Sequence, residues 1–125
     1  MVMQVQKIER ANPLRREEKR WYLTKAPGRS IDLDVISKEI EKRSTVSRPD
    51  VMAVLYSLVE LLPEHLISGD SVRLGAFGSF RASISSLPAP TPEEVNANMV
   101  KGVKIGFLAG AELKKAIALA KYKVV

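Results

Sequence analysis

Apolar and polar positions along this chain change period several times, and the changes mark its elements. Over residues 2–9, Val2, Val5 and Ile8 alternate loosely with polar neighbours and predict a strand, which Ala11-Asn12-Pro13 breaks. Residues 14–20 read as an exposed loop or a short helical turn, and Trp21-Tyr22-Leu23 as a second short strand. Lys25-Ala26-Pro27-Gly28-Arg29 is a turn or linker. The period then becomes helical. Leu33, Ile36 and Ile40 share a stripe, with Val35 beside it, and predict a helix over 32–43. Ser30 or Asp32 can cap this helix; Asp32 and Asp34 suit its positive end, Lys42 and Arg43 its negative end. Ser47-Arg48-Pro49-Asp50 opens a second helix, with a serine cap and a proline in the first turn. Val51, Val54, Leu55, Leu58, Leu61, Leu62 and Leu66 carry it to about residue 67; Pro63 tightens or kinks the last turns. Gly69 is placed to end it in a left-handed conformation. The stripe is wide for a helix that covers one surface, and predicts burial on two sides: a monomer core and a dimer partner.

Residues 72–84 are the stretch around which the rest is organised. Gly75 and Gly78 flank Phe77, where the backbone can turn tightly. Phe80, Ala82 and Ile84 then alternate with Ser79, Arg81 and Ser83, the period of a half-buried strand. Pro88, Pro90 and Pro92 rule out an interior strand next, and Thr91-Pro92-Glu93-Glu94-Val95 has the form of a short helical turn. Residues 96–100 read as irregular. Residues 101–107 alternate again, with Val103, Ile105 and Phe107 on one face and Lys104 and Gly106 on the other. A final helix is predicted over 111–121, with Leu113, Ile117 and Ala120 inside and Lys114, Lys115 and Lys121 outside. The order of elements is an α+β pattern.

Composition adds exclusions. With 46% hydrophobic and 27% charged residues, the chain has the make-up of a soluble globular domain. It contains no cysteine, so disulfides, thiolate metal sites and thiol catalysis are excluded. The single histidine, His65, has no second metal or catalytic partner near it in sequence and reads as a surface or packing residue. No apolar run approaches the roughly 18–20 residues that span a bilayer, and the first ten residues have no signal-peptide core, so the expected location is cytoplasmic. No carboxylate pair, nucleophile–base set or phosphate-cradling glycine loop stands out, so the expectation is a binding protein, not an enzyme, without cofactor or small-molecule substrate.

Charge is unevenly placed. The net +6 divides into +5 over residues 1–30, −4 over 31–100 and +5 over 101–125. A basic excess at both ends fits a polyanion-facing surface or a solvated one, and charge alone leaves both open. Arg15, Arg16, Lys19 and Arg20 lie beside Trp21 and Tyr22, which could grip a phosphate backbone and stack on bases. Alternatively Trp21 and Tyr22 pack on the core while the arginines stay solvated, and this is the arrangement expected.

The ordered set of motifs resembles the bacterial HU/IHF histone-like DNA-binding family. The leucine-rich helix ending in Ser68-Gly69-Asp70, then Val72-Arg73-Leu74-Gly75-Ala76-Phe77-Gly78-Ser79-Phe80, is similar to that family's helix and "G-x-x-V-x-L-x-x-F-G-x-F" strand-turn-strand. Phe107-Leu108-Ala109-Gly110-Ala111-Glu112-Leu113-Lys114-Lys115-Ala116-Ile117 resembles its closing "F-x-P-G-x-x-L-K-x-A-V" helix. Residues 1–30 lie outside ordinary HU and look like the extension of the longer HU-like branch typical of Bacteroidetes. The resemblance therefore implies an N-terminal β extension over 1–30 and an HU-like DNA-binding domain over 31–125: a helix pair, a three-stranded saddle sheet and a C-terminal helix. It implies an intertwined, nucleoid-associated homodimer that binds and condenses double-stranded DNA with little sequence specificity. By matched position, Arg73 and the backbone around Gly75, Gly78 and Ser79 meet phosphates. Arg81, Lys101 and Lys104 line the saddle, while Lys114, Lys115, Lys121 and Lys123 extend a basic flank, with Arg15, Arg16 and Arg20 on the extension.

One departure counts against simple transfer. The family's arms are rich in arginine and lysine and end in an "R-N-P-x-T-G" tip; here residues 86–99 hold no basic residue, carry Glu93 and Glu94, and lack that tip. The competing expectation is an HU-fold protein–protein or oligomerisation module.

Overall fold

The computed structural model describes residues 1–125. In order, the elements are β1 (Val2–Ala11), β2 (Lys19–Lys25), α1 (Leu33–Arg43), α2 (Arg48–Ile67), β3 (Val72–Arg73), β4 (Gly78–Ser86), β5 (Val100–Ala109), α3 (Ala111–Ala118) and β6 (Lys121–Val124). Three short 3₁₀ turns, Gly75–Phe77, Pro92–Glu94 and Ala97–Met99, join strands. The chain divides into two compact units, residues 32–114 and residues 1–31 with 115–125. No helix is long and apolar enough to cross a membrane.

The larger unit begins with the helix pair, whose ends follow from local chemistry. Asp32 caps α1, its Oδ1 accepting from the Val35 amide at 3.0 Å, and Ser47 caps α2 by accepting from Asp50 at 3.5 Å. Arg48 at the start of α2 donates to Asp34 of α1; this hydrogen bond first, and the charge of Arg48 with it, holds the Asp34 carboxyl below the usual carboxylate range. The Arg48 amide also donates to Glu41 at 2.6 Å, so both ends of α1 are tied to the first turn of α2. At the far end Gly69 takes the left-handed conformation at φ 89°, and Asp70 N donates to His65 O at 3.0 Å. His65 itself is exposed, with Nδ1 3.5 Å from Asp70 Oδ2.

The helix pair leads into an antiparallel sheet ordered β3-β4-β5. Register sets Arg73 opposite Ser79, Arg81 opposite Gly106, Ser83 opposite Lys104, and Phe80 opposite Phe107. Between Ser85 and Ser86 the register shifts, because Lys101 is an extra residue on β5. The sheet's apolar face holds the contacting rings Phe80 and Phe107, centroids 4.8 Å apart, with Phe77 5.3 Å from Phe107.

The second unit is a sheet ordered β2-β1-β6, with β1 and β2 antiparallel and β1 and β6 parallel. This corrects the expectation of a helix running to residue 121. The helix ends at Ala118, and Lys121 and Lys123 belong to a strand. Tyr122 and Val124 alternate with the two lysines at period two, and β1 offers a free edge on which that pattern is satisfied. Two further corrections are local. Lys19 and Arg20 start β2 and are not loop residues. Residues 97–99 form a 3₁₀ turn because Asn96 Oδ1 accepts from the Asn98 amide at 3.0 Å, and Val100 already belongs to β5.

Buried apolar residues are few: Val5, Ala26, Val51 and Leu66. Trp21 is 67% exposed and Tyr22 50%, so the expectation that they pack on the core is wrong. They lie opposite Glu9 and Ile8, where the sheet has only two strands because β6 reaches no further along β1 than Val5; neither ring has a core to enter. On α2, Val51 and Leu66 are buried while Val54, Tyr56, Val59 and Leu61 are exposed, leaving one side of the wide stripe uncovered.

Candidate nucleic-acid interface

In an antiparallel ladder, directly opposed residues share a face. That rule collects Arg73, Ser79, Arg81, Ser83, Ser85, Gly102, Lys104, Gly106 and Leu108 on one side of the β3-β4-β5 sheet. The side holds three cations and no carboxylate. Arg73, Arg81 and Lys104 are exposed, and none enters an ion pair within the chain. Gly106, opposite Arg81, leaves the face flat there. Lys101 is exposed as well, but at the bulge, where the alternation that places Lys104 no longer fixes it.

The turn at the edge of this sheet is held by close backbone approach. Gly78, at φ 152°, packs its Cα against β5: a Cβ there would lie 2.6 Å from a ring carbon of Phe107 and against the Leu108 carbonyl. Gly78 O accepts from Leu74 N at 2.9 Å, Phe77 N donates to Leu74 O at 3.1 Å, and Phe77 O accepts from Gly110 N at 2.8 Å. The first amides of a helical turn have no acceptor inside it, which leaves Gly75 and Ala76 without one in the turn. Beside them a groove of about 550 Å³ is lined by Arg73, Gly75, Gly78, Ser79 and Glu112. It offers a guanidinium, short-chain polar groups and backbone to an anion, with the Glu112 carboxylate opposing part of that field.

The other residues named from the sequence fall elsewhere. Lys114 and Lys115 are on α3, Lys121 and Lys123 on β6, Arg20 on β2, and Arg15 and Arg16 in the β1–β2 turn, where Arg15 pairs with Glu18 at 3.4 Å. The proline-containing segment closes on itself: Leu87 N donates to Met99 O at 2.8 Å, directly beyond the last β4–β5 pair. The strands therefore end at Ser86 and Val100 without extending into a basic arm. Sequence reasoning missed Arg10, which pairs with Arg20 across the β1–β2 ladder; its signal was its place at an alternate position of β1. No group of three or more His, Cys, Asp or Glu is placed to hold a metal.

Comparison with known proteins adds four findings. Residues 1–123 match the family model HU-HIG, described as "HU domain fused to wHTH, Ig, or Glycine-rich motif". DNA-binding protein HU-1 of Halalkalibacterium halodurans is 31% identical over 83 residues, covering 63% of this chain and 90% of that protein. A crystal structure from Bacteroides vulgatus, described as a candidate bacterial DNA binding protein, superposes with TM-score 0.71 at 18% identity. It covers 99% of this chain, which spans only 48% of the Bacteroides chain. An HU–DNA cocrystal structure from Anabaena superposes with TM-score 0.56 at 22% identity, covering 71% of this chain and 99% of that one.

Proposed function

This chain belongs to the HU-HIG family of HU domains, and from that premise we propose that it is a non-enzymatic, nucleoid-associated protein of the cytoplasm that binds double-stranded DNA as a homodimer. The observation that carries the reading is the charge of one sheet face: Arg73, Arg81 and Lys104 with no carboxylate among them. Cations on a flat strand ladder meet phosphates without reading base edges, so affinity is steeply salt-dependent and nearly independent of sequence. The turn amides of Gly75 and Ala76, held in place by the close approach of Gly78, and the Ser79 hydroxyl add donors at the sheet edge, and Lys101 and Lys114 widen the positive field. The names of the Halalkalibacterium and Anabaena relatives, both DNA binders, support the same ligand.

Surface area supports the dimer. The chain exposes 10876 Å². Two separately compact bodies of the sizes of its units would together expose roughly 7,900 Å². The surplus is apolar where a partner is needed: the uncovered side of α2, the half-exposed Phe77 and Phe107, and a cavity of about 420 Å³ lined by Leu66, Ile84, Val103 and Ile105. A second copy that covers these supplies the core the single chain lacks.

The test is binding to a mixed-sequence duplex, titrated with salt. Replacing Arg81, Lys101 and Lys104 together is expected to weaken binding alike on unrelated sequences and to lower the slope of log K against log[salt] by about 0.9 for each phosphate no longer neutralised. A loss confined to one sequence contradicts the mechanism. Absence of binding at low salt favours the second reading, a protein-contact module, which rests on residues 86–99 having no cation and carrying Glu93 and Glu94.

A further inference from the structure

The terminal sheet carries a second charged face that the duplex-binding surface does not use. Opposed residues of β1, β2 and β6 place Gln4, Gln6, Ile8 and Arg10 of β1 beside Arg20, Tyr22 and Thr24 of β2, and Lys121 and Lys123 of β6, on one side. That side has four cations and no acid; Glu9 pairs with Trp21 on the opposite side. None of Arg10, Arg20, Lys121 and Lys123 enters an ion pair within the chain. The cations stand in two pairs, Arg10 with Arg20 at the hairpin end and Lys121 with Lys123 at the other. Six residues of β1 separate the rows of Arg10 and Lys123, about 20 Å along the strand. Between the pairs lie the half-exposed ring of Tyr22 and the amides and hydroxyl of Gln4, Gln6 and Thr24.

At the hairpin end the surface is concave. A hollow of about 560 Å³ is lined by Arg10, Asn12, Pro13, Glu18, Arg20 and Tyr22. Its one carboxylate, Glu18, is engaged by Arg15 at 3.4 Å, and the turn beneath is fixed by Asn12 N donating to Glu18 O at 2.9 Å. The hollow thus sets two guanidinium groups beside an aromatic plane.

From this juxtaposition of Arg10, Arg20, Lys121 and Lys123 around Tyr22, we infer that the β2-β1-β6 face is a binding platform for single-stranded nucleic acid. A ring flanked by cations gains a stacking partner only where bases are unpaired; in a duplex each base is already stacked on its neighbours. Phosphates on the two cation pairs would bracket a base on Tyr22, with the glutamines and Thr24 available to base edges. The inference is independent of the duplex reading, since it uses a different sheet.

Three labelled probes of one mixed sequence, about 15 nucleotides long so as to exceed one platform, separate the possibilities: single-stranded DNA, single-stranded RNA and the DNA duplex. Tyr22→Leu keeps an apolar residue on the strand but removes the stacking plane, and is expected to weaken single-strand binding about tenfold. Tyr22→Phe keeps the plane and is expected to restore it, while neither change alters duplex binding. The Arg81, Lys101 and Lys104 variant is expected to retain single-strand binding, which separates failure of this inference from failure of the duplex reading. Tyr22-dependent binding of either single strand supports the platform, and the difference between the two names the sugar it accepts. Single-strand affinity unchanged in Tyr22→Leu, equal losses on duplex and single strands, or no single-strand binding by the unaltered protein would each overturn it; circular dichroism of the variants confirms that the sheet has formed.

Discussion

Gly110 and Gly102 stand eight residues apart around the same strand and show what a side chain costs when there is no room for it. A Cβ on Gly110 would press on the Ala76 carbonyl and lie 2.7 Å from its carbon, while one on Gly102 would meet nothing within 4 Å. The hydrogen bond from Gly110 N to Phe77 O sets that closeness, tying the start of α3 to the turn beside the basic face. Gly110→Ala is therefore expected to destabilise the protein by roughly 1–3 kcal/mol, the usual cost of overpacking. Gly102→Ala should be neutral or slightly stabilising, since a strand glycine contributes entropy to the unfolded chain and no packing. Thermal unfolding of the two variants side by side checks the contrast, and equal melting temperatures would contradict it.

At the level of elements, α2 is a helix with one side settled and one side open. Val51 and Leu66 face its own unit, and Ala53, Val54, Ser57 and Leu61 line an uncovered groove. If a second copy covers that groove, Val54→Asp with Leu61→Asp is expected to yield a species of half the mass in light scattering at micromolar concentration, with lowered stability, since a charge has no partner there. An unchanged mass would place the dimer interface elsewhere. This open side was legible in the sequence, because a leucine and valine recurrence wider than one packing surface implies two. The helix caps, Gly69 and the β4 alternation were legible for the same reason: each is decided by residues within a few positions. What could not be read was decided at a distance. Lys121-Tyr122-Lys123-Val124 continues a helical pattern or starts a strand with equal local sense, and only the edge of β1, more than a hundred residues earlier, resolves it. The exposure of Trp21 and Tyr22 is decided at a distance as well, since an aromatic pair in a strand implies a core only if some other element covers the sheet. On the basic face, Arg81 and Lys104 became neighbours through register, whereas Lys101 fell at a bulge that no local pattern announces.

Taken whole, the chain distributes its positive charge between two sheets, one built from its middle and one from its two ends. The first is continuous in sequence over residues 32–114; the second needs residues from both termini, with Met1 O accepting from Lys121 N at 3.2 Å and Val5 O from Val125 N at 2.9 Å. That parallel pairing of β1 with β6 has a kinetic meaning. A nascent chain can close the β1–β2 hairpin and the central sheet while it is still being made, but β1 must wait for the last strand, and closing so long a loop is slow compared with local pairing. Pulse-labelled hydrogen exchange during refolding should accordingly protect the β4–β5 amides before those that join β1 to β6; simultaneous protection would show that the two sheets form as one. Of the strands in its sheet, β1 thus gains one neighbour early and the other late, and until β6 arrives its second edge is bare and open to pairing with another chain.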